Sequence, residues 1–175
     1  MTDSLAVHPR EALFDASEGA PALPVCDHYC GVEARMRKSL ALQGELGPVF
    51  DVTLDCEDGA PIGGETEHAH MAAELAASGA NLFGRVGARV HPVDHPSFAQ
   101  DVATFVGKAG HRLAYLMVPK PRHLADVERA CAEIDHQIRV HGTGRHIPVH
   151  TLVETHGALR DVEAIAAHPR IESLS

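Results

Sequence analysis

Aromatic side chains are scarce in this sequence: two tyrosines, five phenylalanines and no tryptophan among 175 residues, 4% in all. A platform that stacks single-stranded bases needs such rings, so that class of binding is disfavoured. Positive charge is short as well, with 15 Lys and Arg against 24 Asp and Glu and a formal net charge of −9. A broad nucleic-acid surface is basic, so no nucleic-acid partner is expected. A small anionic substrate stays open, because a few local cations can outweigh the global field. No stretch approaches the ~20 apolar residues of a membrane span, and no basic-then-apolar segment opens the chain as a secretory signal would. The expected setting is soluble and cytoplasmic, with no membrane partner. The four cysteines (Cys26, Cys30, Cys56, Cys131) have no C-x-x-C spacing and read as reduced thiols. No G-x-G-x-x-G or Walker loop follows any apolar run, and Gly84-Arg85-Val86-Gly87 is too short a glycine pattern to count. Fourteen histidines are many, yet neither His68-Ala69-His70 nor Cys26-Asp27-His28-Tyr29-Cys30 has zinc-site spacing, and most read as surface residues.

What the chain does have is a repeat. Short apolar runs stop on charged side chains: 49–54 before Asp55-Cys56-Glu57-Asp58, a Gly-Arg-Val-Gly-Ala stretch before Arg89, 113–118 before Lys120, and 147–153 before Glu154. Asp55, Arg89, Lys120 and Glu154 stand 34, 31 and 34 positions apart. That step is close to one strand-plus-helix unit of an eight-fold β/α barrel, in which roughly 250 residues serve eight units. Helical patterns fill the gaps. Val32, Met36 and Leu40 share a face that ends at Gly47-Pro48; Glu65 to Ser78 carries Met71 and Leu75 on one side. Ser97-x-x-Gln100 matches a capping box before Phe98, Val102 and Phe105. Leu124 to Ile138 steps by three and four until Gly142, and Leu159, Val162 and Ile165 make a last short helix. Near-continuous apolar strands indicate a parallel sheet covered on its faces, and 45% hydrophobic content supports one sizeable core. The expected fold is α/β, a TIM (β/α)8 barrel represented by its first five to six units. A doubly wound sheet is the rival, but it concentrates its site at one switch point, whereas here charges recur at every strand end. Residues 1–21 read as a leader or cap and 22–175 as the partial barrel. Ile171 to Ser175 reads as the start of a sixth strand, so the chain is expected to be truncated before strands 7 and 8.

Catalytic groups of such barrels sit at the carboxyl ends of the strands, so these charges are the site candidates. Asp55, Glu57 and Asp58 form one acidic cluster and Glu154 another, an oxygen-rich setting suited to Mg²⁺, or else a set of strand-end salt bridges. Arg89 offers a fork for a substrate carboxylate, or an ion pair with Asp55 or Glu57. Lys120, between Pro119 and Pro121, is a Schiff-base lysine or, preferably, an electrostatic prop.

Four blocks in order resemble one known family. Leu54-Asp55-Cys56-Glu57-Asp58-Gly59-Ala60 is similar to the D-L-E-D-x-V segment of the citrate lyase β-subunit-like proteins of the HpcH/HpaI aldolase superfamily. Arg89-Val90-His91 resembles its R-[VI]-N, with Asp101 in the place of the aspartate that follows. Met117-Val118-Pro119-Lys120 resembles M-[LV]-P-K, Leu152-Val153-Glu154-Thr155 resembles I-E-[ST], and 158–171 resembles the next helix. The resemblance implies a TIM barrel, usually a homotrimer or homohexamer, that cleaves or forms carbon–carbon bonds in malyl-, citramalyl- or citryl-type CoA thioesters with Mg²⁺. It implies that Glu154 binds the metal and touches substrate, that Arg89 and Lys120 contact the substrate, and that Glu57 and Asp58 are catalytic beside Arg89. Asp55 would order the arginine from behind, and a second metal-binding aspartate would lie past Ser175. Two departures stand out: residues 24–30 lack the family's first-strand Arg-Ser pair, and His91 replaces its asparagine. They leave open an aldolase acting on free 2-oxo acids without CoA, and a non-catalytic barrel paralogue. The general base is not identifiable from the sequence.

Overall fold

The computed structural model describes residues 26–175, so the expected leader or cap over 1–21, and residues 24 and 25 of the first-strand region, lie outside the described residues. Strands and helices alternate without a break. In chain order they are β1 (Asp27–Cys30), α1 (Glu33–Leu46), β2 (Asp51–Asp55), α2 (Glu65–Ala77), β3 (Val86–Arg89), α3 (Phe98–Ala109), β4 (Leu116–Val118), α4 (Leu124–His141), β5 (Val149–Thr151), α5 (His156–Arg160), α6 (Val162–Ala166) and β6 (Ile171–Leu174). The six strands form one sheet in the order β1-β2-β3-β4-β5-β6, and every neighbouring pair is parallel. A doubly wound sheet reverses its strand order at a switch point; here sequence order and spatial order coincide, as they do in a β/α barrel. The expected partial barrel of five to six units is what the chain forms.

The two faces of the sheet differ in chemistry. One face carries Val52, Leu54, Val86, Ala88, Leu116, Val118 and Val149, all fully buried against helix residues such as Met36, Ala72, Phe105 and Ile134. The alternate positions point the other way and are largely polar. Thr53 donates to Asp27 at 2.6–2.7 Å and sits 2.7 Å from the Tyr115 hydroxyl. Tyr115 stacks on His150 with centroids 3.9 Å apart, and His150 meets Glu172 at 2.8 Å. Asp51 is ion-paired to Arg85 at 2.7 Å. The apolar core is therefore the layer between strands and helices, while the inner face is a hydrogen-bonded column. Gly87 makes room for it, since a Cβ there would collide with the Tyr115 ring.

Several local expectations are corrected. Ser97 has helical dihedrals (φ −81°, ψ −10°) and makes no side-chain cap, so the capping box with Gln100 does not form. A capping residue needs extended dihedrals to turn its oxygen back on the helix. Val32 caps α1 and is 43% exposed instead of sharing the buried face of Met36 and Leu40. The buried side of α2 consists of Ala69, Ala72, Ala73, Leu75 and Ala76, with Met71 only partly covered. The single last helix is two short ones broken at Asp161, whose carboxylate accepts from the Leu124 N–H at 3.1 Å.

Burial pushes the Asp51 carboxyl up to about 6 despite Arg85. Between the ordinary value of 3.8 and about 6 the folded state thus holds a proton that the unfolded state has lost, so this residue's contribution to stability falls as pH rises through that window. Urea denaturation of wild type and Asp51→Asn from pH 4 to 7 is expected to show that downward slope in wild type, weakened in the variant.

Candidate active site at the strand ends

The site is built from residues at, or just beyond, the carboxyl ends of four adjacent strands. β2 ends on Asp55, whose carboxylate accepts from the Glu57 N–H (2.9 Å), the Gly59 N–H (2.8 Å) and Arg89 Nε and Nη2 (2.7 and 2.6 Å). A Cβ at Gly59 would run into that carboxylate, so glycine lets the loop close on it. Burial works to raise the Asp55 pKa, but Arg89 and the two backbone donors outweigh it and hold the carboxyl below its usual range. Register explains the meeting: Asp55 and Arg89 are direct partners across β2 and β3.

The Arg89 fork is therefore filled on one side by Asp55, and its Nη1 lies 3.4 Å from Glu57 Oε2. This is the ion-pair alternative for Arg89. The guanidinium carbon also stands 5.1 Å from the Tyr29 ring centroid, so β1 joins the mouth through a cation–π contact. Tyr29 carries no motif that singles it out in the sequence. Its hydroxyl donates to Met117 Sδ at 2.7 Å; burial, Asp27, Asp55 and Glu154 together push its pKa up. The only advance signal is its place two residues after Asp27 on the inward side of β1.

Lys120 follows β4 in the left-handed region (φ 51°), rare for a residue with a side chain. Its ammonium reaches Glu57 and lies 2.9 Å from Asp58, and these two acids push its pKa up to about 12. An amine so firmly protonated is a charge, not a nucleophile. Its backbone N–H donates to Glu154 Oε1 at 2.9 Å. Glu154 is an exposed carboxylate beyond β5, followed by Thr155, which caps α5 through Ala158 N–H at 3.0 Å. One lysine thus ties the acidic loop after β2 to the glutamate after β5. Tyr29, Asp55, Glu57, Asp58, Arg89, Lys120 and Glu154 share one end of the sheet.

His91 lies two residues beyond Arg89. Its backbone N–H (3.0 Å) and Nδ1 (2.6 Å) both meet Asp101 Oδ2 on α3, and its ring stacks on His95 with centroids 4.2 Å apart. His68 on α2 is pinned to the Asp55 carbonyl through Nε2 at 2.9 Å.

For a divalent cation the donor set here is oxygen. Glu57 Oε2 is buried without a hydrogen bond, and Glu154 presents an exposed carboxylate. Among the described residues no three His, Cys, Asp or Glu side chains could hold a metal ion by themselves. Mg²⁺ does not ask for that, since it commonly takes one or two carboxylates and fills its remaining positions with water and substrate. The residues present fit such a partial site. A separate groove of about 380 Å³ between α1 and α2, lined by Leu40, Gly44, Leu75 and Leu82 among others, contains none of these strand-end groups. No helix among the described residues is long and apolar enough to cross a membrane.

Comparison with known proteins gives the same frame. The HpcH/HpaI aldolase/citrate lyase family model matches residues 50–175. A citrate lyase crystal structure from Burkholderia xenovorans is 48% identical, with a TM-score of 0.85 over 96% of this chain and 50% of that one. The L-malyl-CoA/beta-methylmalyl-CoA lyase of Cereibacter sphaeroides is 31% identical over 88 residues, 50% of this chain and 28% of that protein. Haloferax volcanii malate synthase, at 18% identity and a TM-score of 0.67, shares the fold over 85% of this chain and 48% of its own. The chain thus spans about half the length of the similar solved structures.

Proposed function

This chain belongs to the HpcH/HpaI aldolase/citrate lyase family, and from that premise we propose that it is a Mg²⁺-dependent carbon–carbon lyase. Its substrate on this reading is a hydroxy-dicarboxylic acid or the CoA thioester of one, cleaved in a retro-aldol or retro-Claisen sense. The observation that carries the reading is the convergence of Glu57, Arg89, Lys120 and Glu154, from four consecutive strands, around one mouth. Malyl-CoA lyase and citrate lyase are the activities named for the relatives, and both break such bonds.

The residues divide the work. Arg89 and Lys120 supply two fixed positive charges at the mouth, suited to a substrate carboxylate and to the negative charge that develops when the bond breaks. Asp55 keeps Arg89 in place and charged. Glu57 and Asp58 hold the Lys120 ammonium over the mouth instead of leaving it in solvent. Glu154 would hold the Mg²⁺, with its second oxygen anchored by the Lys120 N–H. Bound there, the ion supplies Lewis-acid polarisation of a substrate oxygen. The working form on this reading is a homo-oligomer in the cytoplasm.

The test is cleavage of malyl-, citramalyl- and citryl-CoA and of the corresponding free acids by the wild-type chain and by Glu154→Gln, each with and without EDTA. Turnover that EDTA abolishes, and that Glu154→Gln lowers by about 10²–10³-fold, is expected. Unchanged turnover in the variant removes Glu154 from the reaction. Cleavage of free acids alone replaces the CoA-ester reading with an aldolase on free acids. No cleavage, together with no Mg²⁺ affinity, points to a barrel without catalysis.

A further inference from the structure

We propose that Tyr29 is the positioning residue of an anion subsite in this mouth. Its ring covers the Arg89 guanidinium from one side, so that the open Nη1–Nη2 edge is presented to a single ligand carboxylate. The proposal rests on the lyase reading above, in which Arg89 meets the anionic substrate, and adds the β1 residue that aims that arginine.

Placement carries the argument. Tyr29 pairs with Thr53 in the β1–β2 register, while Arg89 pairs with Asp55 on one side and with Met117 on the other. The Tyr29 ring centroid stands 5.1 Å from the guanidinium carbon, and its hydroxyl donates to Met117 Sδ at 2.7 Å. One side chain thus reaches from the first strand to the fourth, passing against Arg89 on the third. It is held at both ends, by its backbone on β1 and by a buried sulfur on β4. Burial first, then the charge of Asp27, pushes the Tyr29 pKa up. The hydroxyl therefore keeps its proton, and the ring stays a neutral wall that does not compete with a ligand for the arginine's charge.

The guanidinium shows what is left for a ligand. Its five N–H donors lie in one plane. Asp55 takes one edge, Nε at 2.7 Å and Nη2 at 2.6 Å. Two contacts along one edge leave the plane free to tilt about the line that joins them. A ring beside the cation opposes that tilt and adds a cation–π attraction. Nη1 stands 3.4 Å from Glu57 Oε2, yet that oxygen has no hydrogen-bond partner, so Nη1 is not taken up among the described residues. The edge formed by Nη1 and the second proton of Nη2 is therefore open, and a carboxylate fits it with both oxygens. The ring also keeps water off the side it covers. A charge with less water around it acts more strongly on a bound anion.

Two measurements on the full chain test this, with pyruvate, a small 2-oxo acid, as the probe. In calorimetric titrations at saturating Mg²⁺, Tyr29→Leu is expected to weaken pyruvate binding by about 3–30-fold, the loss of one cation–π contact. Tyr29→Phe keeps the ring and should restore most of the affinity. Mg²⁺ affinity without pyruvate should be the same in both variants as in wild type, a split that general damage to the mouth would not give. The second measurement needs no variant to fold. Among the ring NMR signals of the two tyrosines, those of Tyr29 should shift as pyruvate is added to wild type, and those of Tyr115 should stay. Wild-type pyruvate affinity in Tyr29→Leu, an equal loss in Tyr29→Phe, or a parallel loss of Mg²⁺ affinity overturns the role of Tyr29. So does a Tyr29 signal that pyruvate leaves unmoved, or a wild type that cleaves substrate yet binds no pyruvate. Each of these leaves the lyase reading standing. A wild type that binds neither Mg²⁺ nor pyruvate and cleaves none of the substrates overturns both.

Discussion

Arg89→Met is expected to lower the unfolding free energy at neutral pH by about 3–5 kcal/mol, as removal of one member of a buried ion pair does. The Asp55 side chain is 2% exposed and that of Arg89 11%, so the orphaned carboxylate has little water to turn to. The Glu57 and Gly59 N–H groups remain to it, which favours the lower end of that range. pH gives the loss a signature. In wild type Asp55 is held below 3.8, so its pairing contributes stability above that pH and loses it as acid titrates the folded state. In the variant burial acts unopposed by the guanidinium and raises the carboxyl, so the gap between the two proteins should close as pH falls toward 3. Urea denaturation at pH 7, 5 and 3.5 reads this directly; a gap that stays constant contradicts it. Substrate cleavage should fall alongside, by about 10²–10³-fold for the removal of one electrostatic interaction. Arg89→Lys keeps a charge but not the two-point fit, and should be intermediate in stability.

Gly87→Ala tests the inner face instead of the mouth. The added methyl would fall within about 2.5 Å of Tyr115 Cδ2 and Cζ, too close for any rotamer adjustment of the alanine itself. Tyr115 would have to leave its stack on His150 and its hydrogen bond with Thr53, uncoupling β2, β4 and β5. Overpacking ordinarily costs about 1–3 kcal/mol, and with a buried hydrogen bond broken as well about 3 kcal/mol or more is expected. For a chain of this length that is a fall in melting temperature on the order of 10 °C. Adding Tyr115→Leu should recover part of it, because the clash then has no partner. Full wild-type stability in Gly87→Ala would mean that the ring is not where the column requires.

The ends of the strands are legible in the sequence because charge interrupts hydrophobicity there, at a regular step. Asp55, Arg89, Lys120 and Glu154 stand out in this way, and parallel in-order pairing brings them to one rim. The inner column is not legible. Counting 113–118 as a single apolar run hides that Tyr115 and Met117 point opposite to Leu116 and Val118, and Tyr115 lies inside a polar network. The way Lys120 reaches back to Glu57 and Asp58 is equally hidden, since it depends on one left-handed backbone residue between two prolines. Local signals fail where a long-range interaction competes. The Ser97 amide donates to His95 Nδ1 at 3.2 Å instead of leading into a capping box, and Asp161 breaks the last helix by anchoring the start of α4.

The central claim is that carboxylate, guanidinium and ammonium at these strand ends make one cation-and-anion site. Calorimetric titration of the chain with Mg²⁺, in the presence and absence of a small 2-oxo acid, measures it most directly. Binding of the ion that the acid strengthens, that Glu154→Gln abolishes and that Arg89→Lys deprives of the acid's help is the predicted result. Mg²⁺ affinity unchanged in Glu154→Gln would contradict it.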